Sequence, residues 1–143
     1  SFYAVQQTLK NVREAGMQRF IDVRQIRIQE IKDPFNSQLS QLDGFSKLST
    51  LNSQLSPLVI MNPPYGERLA QDKDVMRLYG DIGSTLKHRF AGATAWIISS
   101  NEDALKCIGL KPSRRIHLMN GELDCLFNQY VLFAGDRKTW KKS

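Results

Sequence analysis

Two residue types that build metal sites and disulfide frameworks are scarce in this 143-residue sequence, which contains two cysteines and two histidines. Cys107 and Cys125 lack C-x-x-C spacing, and His88 and His117 stand alone. The sequence therefore predicts neither a metal site nor a disulfide framework, and it assigns no catalytic role to either histidine. We expect both thiols to be buried and reduced.

Long hydrophobic runs are also absent. Apolar stretches such as Leu58–Met61 and Ala95–Ile98 are far shorter than the roughly 20 residues that a membrane-spanning helix needs. Charged Lys10, Arg13 and Glu14 lie where a signal peptide would be apolar. The sequence therefore predicts a cytoplasmic protein without a membrane partner.

Basic residues exceed acidic ones, which gives a formal net charge of +6 and favours an anionic partner. They cluster in residues 87–89 and 111–115, and again in a basic tail, residues 134–143. These clusters would suit phosphate contacts if they share one face. For the tail, an ordinary solvated and frayed terminus is the favoured interpretation. With 41% hydrophobic residues, the chain can still bury the core of one domain.

The beginning of the sequence predicts an amphipathic helix. Apolar Val5, Leu9 and Val12 repeat at helical spacing, which places them on one face. Gly16 follows where a helix would end. We therefore expect a helix over residues 2–16 whose apolar face packs against the protein.

A strand and an insertion are predicted next. Ile26 and Ile28 alternate with polar neighbours, which predicts a strand over residues 20–31 that runs toward Asp33. Residues 36–56 are rich in Ser, Gln and Leu, and some of the leucines have helical spacing. We interpret this segment as an insertion that partly packs against the domain.

From residue 58 onward the pattern is typical of an α/β fold with a parallel sheet. The predicted elements, in chain order, are a buried strand over 58–61, a helix over 74–90, a strand over 94–98, a helix over 102–108, and a β-hairpin formed by 116–119 and 123–133 around Asn120-Gly121.

The motif Asn62-Pro63-Pro64-Tyr65 directly follows the first of these strands. An Asn side-chain carbonyl and a neighbouring backbone carbonyl can accept hydrogen bonds from one amino group, while an aromatic ring stacks on the base that carries it. Such an amine is a poor nucleophile until acceptors fix its hydrogens. Once methylated it is transiently cationic and loses a proton readily, so it needs no tuned side-chain base. The motif therefore predicts methylation of an exocyclic amine, with S-adenosylmethionine as the methyl donor. A rigid loop that merely ends a strand is the alternative.

The extended sequence from Asn62 to Leu69 resembles the catalytic loop of the large-subunit ribosomal RNA guanine-N2 methyltransferases. The tetrapeptide alone also occurs in adenine-N6 and protein glutamine methyltransferases, whereas the following Gly-Glu-Arg-Leu resembles the RNA guanine group. Further similar segments follow in family order: Leu78-Tyr79-Gly80, Leu86–Phe90, Gly92, Ser99-Ser100-Asn101 and Asn120–Cys125.

This resemblance implies the second half of a class I methyltransferase (Rossmann-like) sheet, completed by a C-terminal β-hairpin. It implies catalytic roles for Asn62, Pro63, Pro64 and Tyr65, with Asn62 also near the cofactor. It further implies that Asp33 contacts the cofactor's adenine. Ribosomal RNA would be the partner.

One family element is missing. No two glycines are separated by a single residue, so the usual G-x-G turn that cradles the cofactor does not occur in this sequence. We therefore expect residues 1–143 to be the C-terminal part of a longer methyltransferase domain, with an upstream half of the same polypeptide. An adenine-N6 enzyme and a catalytically silent fragment remain as alternatives.

Three arginines are candidates for RNA contacts. Arg68 lies in the extended motif, where it could contact a phosphate or a base. A salt bridge with Glu67 or another acid is the competing interpretation. Arg114 and Arg115 belong to the cluster at 111–115, and we expect them to contact phosphates.

Overall fold

The computed structural model describes residues 2–31, 57–65 and 72–133, and it divides after Ile31 into two compact units. None of the described helices is long and apolar enough to cross a membrane. The predicted insertion at 36–56 and the tail at 134–143 lie outside the described residues.

The first unit begins with helix α1, Phe2–Glu14, as predicted. The helix ends because Gly16 adopts a φ of 67° and allows the chain to turn back. The amide of Gly16 donates to the Arg13 carbonyl, and the amide of Met17 donates to the Val12 carbonyl, both at 3.0 Å. These two bonds satisfy carbonyls that the last helical turn would otherwise leave unpaired.

The strand predicted over residues 20–31 is wrong. Residues 21–27 have no regular structure, and Ile28–Glu30 forms a single 3-10 turn. The amide of Glu30 closes this turn by donating to the Arg27 carbonyl at 3.0 Å. Alternating hydrophobicity becomes a strand only when a second strand supplies ladder hydrogen bonds, and none of the described strands pairs with this segment.

The second unit contains a four-stranded mixed sheet. Its strands are β1 (Leu58–Met61), β2 (Thr94–Ser99), β3 (Arg114–Asn120) and β4 (Leu123–Val131), in the spatial order β1-β2-β4-β3. β2 is parallel to β1, and β4 is antiparallel to both β2 and β3. The predicted parallel strands and the predicted hairpin are therefore confirmed. A parallel pair needs a long crossover, and the helix formed by Asp72–Arg89 lies within it along the chain.

Helix α2 spans Asp72–Arg89, and its Tyr79 side chain reaches Ser99 at the end of β2. Its buried residues recur at helical spacing: Val75, Tyr79, Ile82 and Leu86. Buried Ala95 and Ile97 alternate with half-buried neighbours along β2, as expected of a strand with one covered face. These apolar side chains form the core of the unit.

Helix α3 spans Glu102–Cys107 and packs closely on α2. A Cβ atom placed on Gly83 would lie 1.9 Å from the Ile108 carbonyl oxygen, so only glycine fits this contact. Cys107 at the end of α3 is exposed, whereas Cys125 is buried. The expectation that both thiols are buried is therefore wrong for Cys107, because the final turn of this short helix leaves its side chain accessible.

Strand β1 is parallel as predicted but not fully buried. Leu58 and Ile60 are 62% and 68% exposed, while Val59 and Met61 are half-buried. Successive residues of a strand point to opposite faces, so one face of β1 is open among the described residues. A continuous apolar run resembles a buried strand in sequence even when only one of its faces is covered.

Candidate active-site loop

The loop formed by residues 62–65 lies where β1 ends. Met61 pairs with Ile97, and β2 continues in the same direction for two further residues. The loop therefore lies beside the end of β2, at the carboxyl edge where open α/β sheets bind their ligands. Pro63 is buried and Tyr65 is half-buried, whereas Asn62 and Pro64 are exposed. Burial of the proline anchors the loop and leaves the Asn62 side chain accessible to a ligand.

The tip of the β3–β4 hairpin projects beyond the same edge. The last pair between β2 and β4 is Ser99 with Leu126, so residues 123–125 pair only with β3. At about 3.3 Å per residue, the hairpin extends roughly 10 Å beyond the end of β2. This overhang brings the hairpin tip to the loop.

Tyr65 is the point where the loop contacts the hairpin. The Asn120 side-chain amide donates to the Tyr65 hydroxyl at 2.6 Å. The Cys125 thiol lies 4.0 Å from the same oxygen. Asn120 and Cys125 share one face of the hairpin, because Cys125 pairs with Leu118, two residues before Asn120. The ring of Tyr65 is therefore tethered to the hairpin through its hydroxyl.

A buried hydrogen-bond network lies below this edge. The Tyr79 hydroxyl donates to the Ser99 hydroxyl oxygen at 2.8 Å. The Asn101 backbone amide donates to the same oxygen at 3.1 Å, and the Asn101 side-chain carbonyl accepts from the Ala104 backbone amide at 2.9 Å. Asn101 is thereby the N-cap of α3. The network joins α2, the end of β2 and the start of α3, so it stabilises the sheet edge at which the loop lies.

Burial raises the pKa of two tyrosines in this unit. The pKa of Tyr79 is raised first by burial, although its bond to Ser99 acts in the opposite direction. The pKa of Tyr130 is also raised by burial, and Asn128 and Arg115 oppose that shift. Burial disfavours the tyrosinate anion, so both groups stay neutral at physiological pH.

The structure separates the predicted RNA-contact residues. Arg114 and Arg115 are adjacent in β3, so their side chains extend from opposite faces of the sheet. Arg115 lies on the face of α3, where it lines a cavity of about 90 Å³ with Asn128 and Tyr130. The two arginines therefore do not form one patch. Asp33 and Arg68 lie outside the described residues.

One residue of this site is not predicted by the sequence. Asn120 belongs to a segment similar to the family and to the hairpin turn, whereas the structure also brings its side chain to Tyr65. An Asn before a Gly favours a turn whether or not its side chain has a second partner. Its position next to a hairpin turn therefore carries no separate signal for this contact. Within residues 2–31, 57–65 and 72–133, no group of three or more His, Cys, Asp or Glu side chains could hold a metal ion.

Sequence comparison relates this chain to ribosomal RNA methyltransferases. It is 34% identical over 128 residues to ribosomal RNA large subunit methyltransferase K/L of Photobacterium profundum, covering 90% of this chain and 16% of that protein. It is 47% identical over 68 residues to the protein of the same name in Allochromatium vinosum, covering 48% of this chain and 9% of that protein. The chain thus spans only a small part of these relatives.

Solved structures share the fold. The crystal structure of SMU.472 complexed with SAH matches with a TM-score of 0.71 and 26% identity, covering 92% of this chain and 30% of that one. A predicted N6-adenine-specific DNA methylase from Listeria monocytogenes matches with a TM-score of 0.65 and 21% identity, covering 92% of this chain and 28% of that one. At that identity the second likeness concerns the fold alone.

The family described as RMKL-like, methyltransferase domain matches residues 3–129. This range includes the loop at 62–65, the end of β2 and the hairpin tip. Since the match covers most of the 143 residues, the chain belongs to the RMKL-like methyltransferase domain family.

Proposed function

We propose that this chain carries the catalytic loop of an enzyme that transfers a methyl group from S-adenosylmethionine to N2 of a guanine in large-subunit ribosomal RNA. One observation carries the proposal: exposed Asn62 and buried Pro63 follow a parallel strand directly, at the ligand-binding edge of the sheet. The relatives named ribosomal RNA large subunit methyltransferase K/L support the substrate class.

Each loop residue has its own role in the reaction. The Asn62 side-chain carbonyl and the Pro63 backbone carbonyl accept the two hydrogens of the guanine amine. Each residue before a proline is confined to extended conformations, so Pro63 and Pro64 leave the loop little freedom. The Tyr65 ring stacks on the base. The amine is thereby held with its lone pair directed at the incoming methyl group.

When bound, S-adenosylmethionine would supply the methyl group on its sulfonium as the electrophile for the amine nitrogen, with S-adenosylhomocysteine as the leaving group. The two carbonyl acceptors then stabilise the positive charge that develops on the amine. The cationic nitrogen releases its additional proton to water. For this reason the loop needs neither a histidine nor a cysteine.

The chain fits part of a cofactor site. The SAH bound to SMU.472 supports this cofactor class, and we assign Asn62 and Asp33 to it, with Asp33 contacting the adenine. Because the sequence contains no G-x-G turn, we propose that residues beyond these 143 complete the pocket. This chain then corresponds to the C-terminal part of the domain, with residues 36–56 as an insertion, and is inactive by itself.

The positive charge supports an RNA partner. The net charge of +6 attracts the phosphate backbone, and we propose Arg68, Arg114 and Arg115 as contacts. The basic tail at 134–143 is a further candidate for phosphate contact. We propose the cytoplasm as the site of action, where ribosomal RNA is accessible.

A methyl-transfer assay on the full-length gene product tests the proposal. Ribosomal RNA would be incubated with S-adenosylmethionine carrying a labelled methyl group, then digested to nucleosides. We expect label in N2-methylguanosine. Label in N6-methyladenosine would instead support the adenine-N6 alternative, which has the same tetrapeptide.

A calorimetric titration tests the silent-fragment alternative. S-adenosylmethionine would be titrated into this chain and into the same chain extended upstream in its gene. We expect binding by the extended form only. Absence of binding by both forms would support a silent remnant.

A further inference from the structure

We propose that Asn120 is a positioning residue for Tyr65, in that its side-chain amide sets the orientation of the ring before a base binds. This inference rests on the proposed function, since it assigns a partner to the stacking residue of the same loop. Its basis is the 2.6 Å hydrogen bond that joins two residues 55 positions apart in the chain.

Tyr65 needs such a partner because its ring would otherwise move. A half-buried aromatic side chain can change χ1 between staggered rotamers, and each change displaces the ring by several ångströms. The hydroxyl is the only group on the ring that forms strong hydrogen bonds. A bond at that end therefore selects one orientation and reduces the conformational entropy that base stacking would otherwise remove.

Asn120 can act as a fixed donor because the backbone around it is held on both sides. It is the last residue of β3 and pairs with Leu123 across the turn. Gly121 makes the turn with a φ of 64°, so the Asn120 side chain is not needed to satisfy the turn itself. The strand pairing below the tip limits how far the amide can move.

The sulfur of Cys125 adds a second, weaker contact. It is buried and lies 4.0 Å from the Tyr65 oxygen, to which the thiol can donate a weak hydrogen bond. The Asn120 amide and the weaker Cys125 thiol donor thus both contact the Tyr65 hydroxyl. A phenylalanine ring would enter the same space without the hydrogen bond.

A double-mutant cycle in the full-length gene product tests this role. The variants are Asn120→Ala, Tyr65→Phe and the two combined, with Glu122→Ala at an exposed position of the same turn as the control. We expect each single change to lower kcat about tenfold while KM for RNA stays within about twofold, because orientation and not affinity is lost. We expect the double variant to be no slower than either single variant.

A conservative variant and a spectroscopic signal separate positioning from folding. Asn120→Asp can still bond the hydroxyl, with Tyr65 as the donor, and should restore most of kcat. Incorporation of 3-fluorotyrosine allows the Tyr65 resonance to be followed by fluorine NMR without any turnover. We expect this resonance to shift and broaden in Asn120→Ala and to be unchanged in Glu122→Ala.

The outcomes also separate this inference from the proposed function. If Asn62→Ala abolishes transfer while Asn120→Ala leaves kcat unchanged, the positioning role is wrong and the catalytic loop stands. A faster Asn120→Ala enzyme would mean that the bond restrains the ring in a resting state, which also overturns the inference. If Asn62→Ala retains full activity, the proposed function itself fails.

Discussion

At the residue scale, the Asn62 amide oxygen is the one side-chain acceptor in the proposed chemistry. Asn62 is exposed at the ligand-binding edge, and its neighbour Pro63 is buried, so the side chain can change without loss of the loop anchor. Its role as an acceptor can therefore be tested separately from the fold.

We expect Asn62→Ala to lower kcat about 100-fold in the full-length gene product, because one of two preorganised acceptors for the reacting amine is removed. KM for RNA should change little. Single-turnover methyl transfer and RNA binding would be measured together. Asn11→Ala, an exposed asparagine in α1, is the matched control. Equal transfer rates for the two variants would contradict the mechanism.

Adjacent arginines on opposite faces of a strand provide a second test at this scale. We expect Arg114→Glu combined with Arg115→Glu to weaken RNA binding and to flatten its salt dependence, by about one unit of slope for each phosphate that is no longer neutralised. Single substitutions should have unequal effects, because one RNA surface contacts one face of β3. Binding would be measured across a series of salt concentrations. An unchanged slope in the double variant would exclude both residues.

At the element scale, the close contact between α2 and α3 depends on Gly83, which has no side chain. Gly83 lies so close to Ile108 that a Cβ atom would overlap the backbone carbonyl, while a Cβ on Gly80 would lie 3.8 Å from the Cys107 carbonyl oxygen, an ordinary contact. The two glycines are one helical turn apart in the same helix, so they form a matched pair.

We expect Gly83→Ala to lower the free energy of unfolding by about 2 kcal/mol or more, because backbone atoms must separate to admit the methyl group. Gly80→Ala should instead raise it by roughly 0.5–1 kcal/mol, because alanine restricts the unfolded chain and favours a helix. Denaturant unfolding followed by circular dichroism would measure both. A destabilising Gly80→Ala would show that the two positions do not differ as the geometry requires.

At the scale of the whole molecule, the sheet brings distant segments to one edge. The loop after β1, the end of β2 and the tip of the β3–β4 hairpin meet there, supported from below by the bond between Tyr79 and Ser99. Because the Tyr79 hydroxyl is buried, its ionisation affects the stability of the entire unit.

We expect stability to fall at alkaline pH. The folded-state pKa values of Tyr79 and Tyr130 are raised by burial above the ordinary value of 10.0. Their stabilising contribution is therefore complete below pH 10 and is lost as pH rises through the raised values, because the unfolded chain ionises first. Tyr79→Phe should make this loss less steep. It should also lower stability at neutral pH by about 1 kcal/mol, because the bond to Ser99 is lost.

Tyrosinate absorbance and thermal unfolding across this pH range would test the expectation. The wild-type protein should contain tyrosines that ionise late and together with unfolding. The Tyr79→Phe variant should contain one fewer tyrosine that ionises late. Ionisation of Tyr79 at the ordinary pH, before any unfolding, would contradict the assigned burial.

The sequence alone predicted most elements because each has a local periodicity. The helices at α1, α2 and α3 and the strands of the sheet agree with the predictions in type and differ from them by at most two residues at either end. The loop was predicted from residue chemistry at a strand end. The strand over 20–31 failed, because alternation describes one face of a segment and says nothing about whether a second strand pairs with it.

Local sequence patterns were therefore enough to predict the α/β pattern, the position of Asn62-Pro63-Pro64-Tyr65 after a parallel strand, and the family to which the chain belongs. These features depend on residues close together in the chain. The folded structure was needed to show that Asn120 reaches Tyr65, that Gly83 touches Ile108, and that one face of β1 is open among the described residues. Such contacts depend on strand register and helix packing, which join residues far apart in sequence and leave no periodic signal at either end.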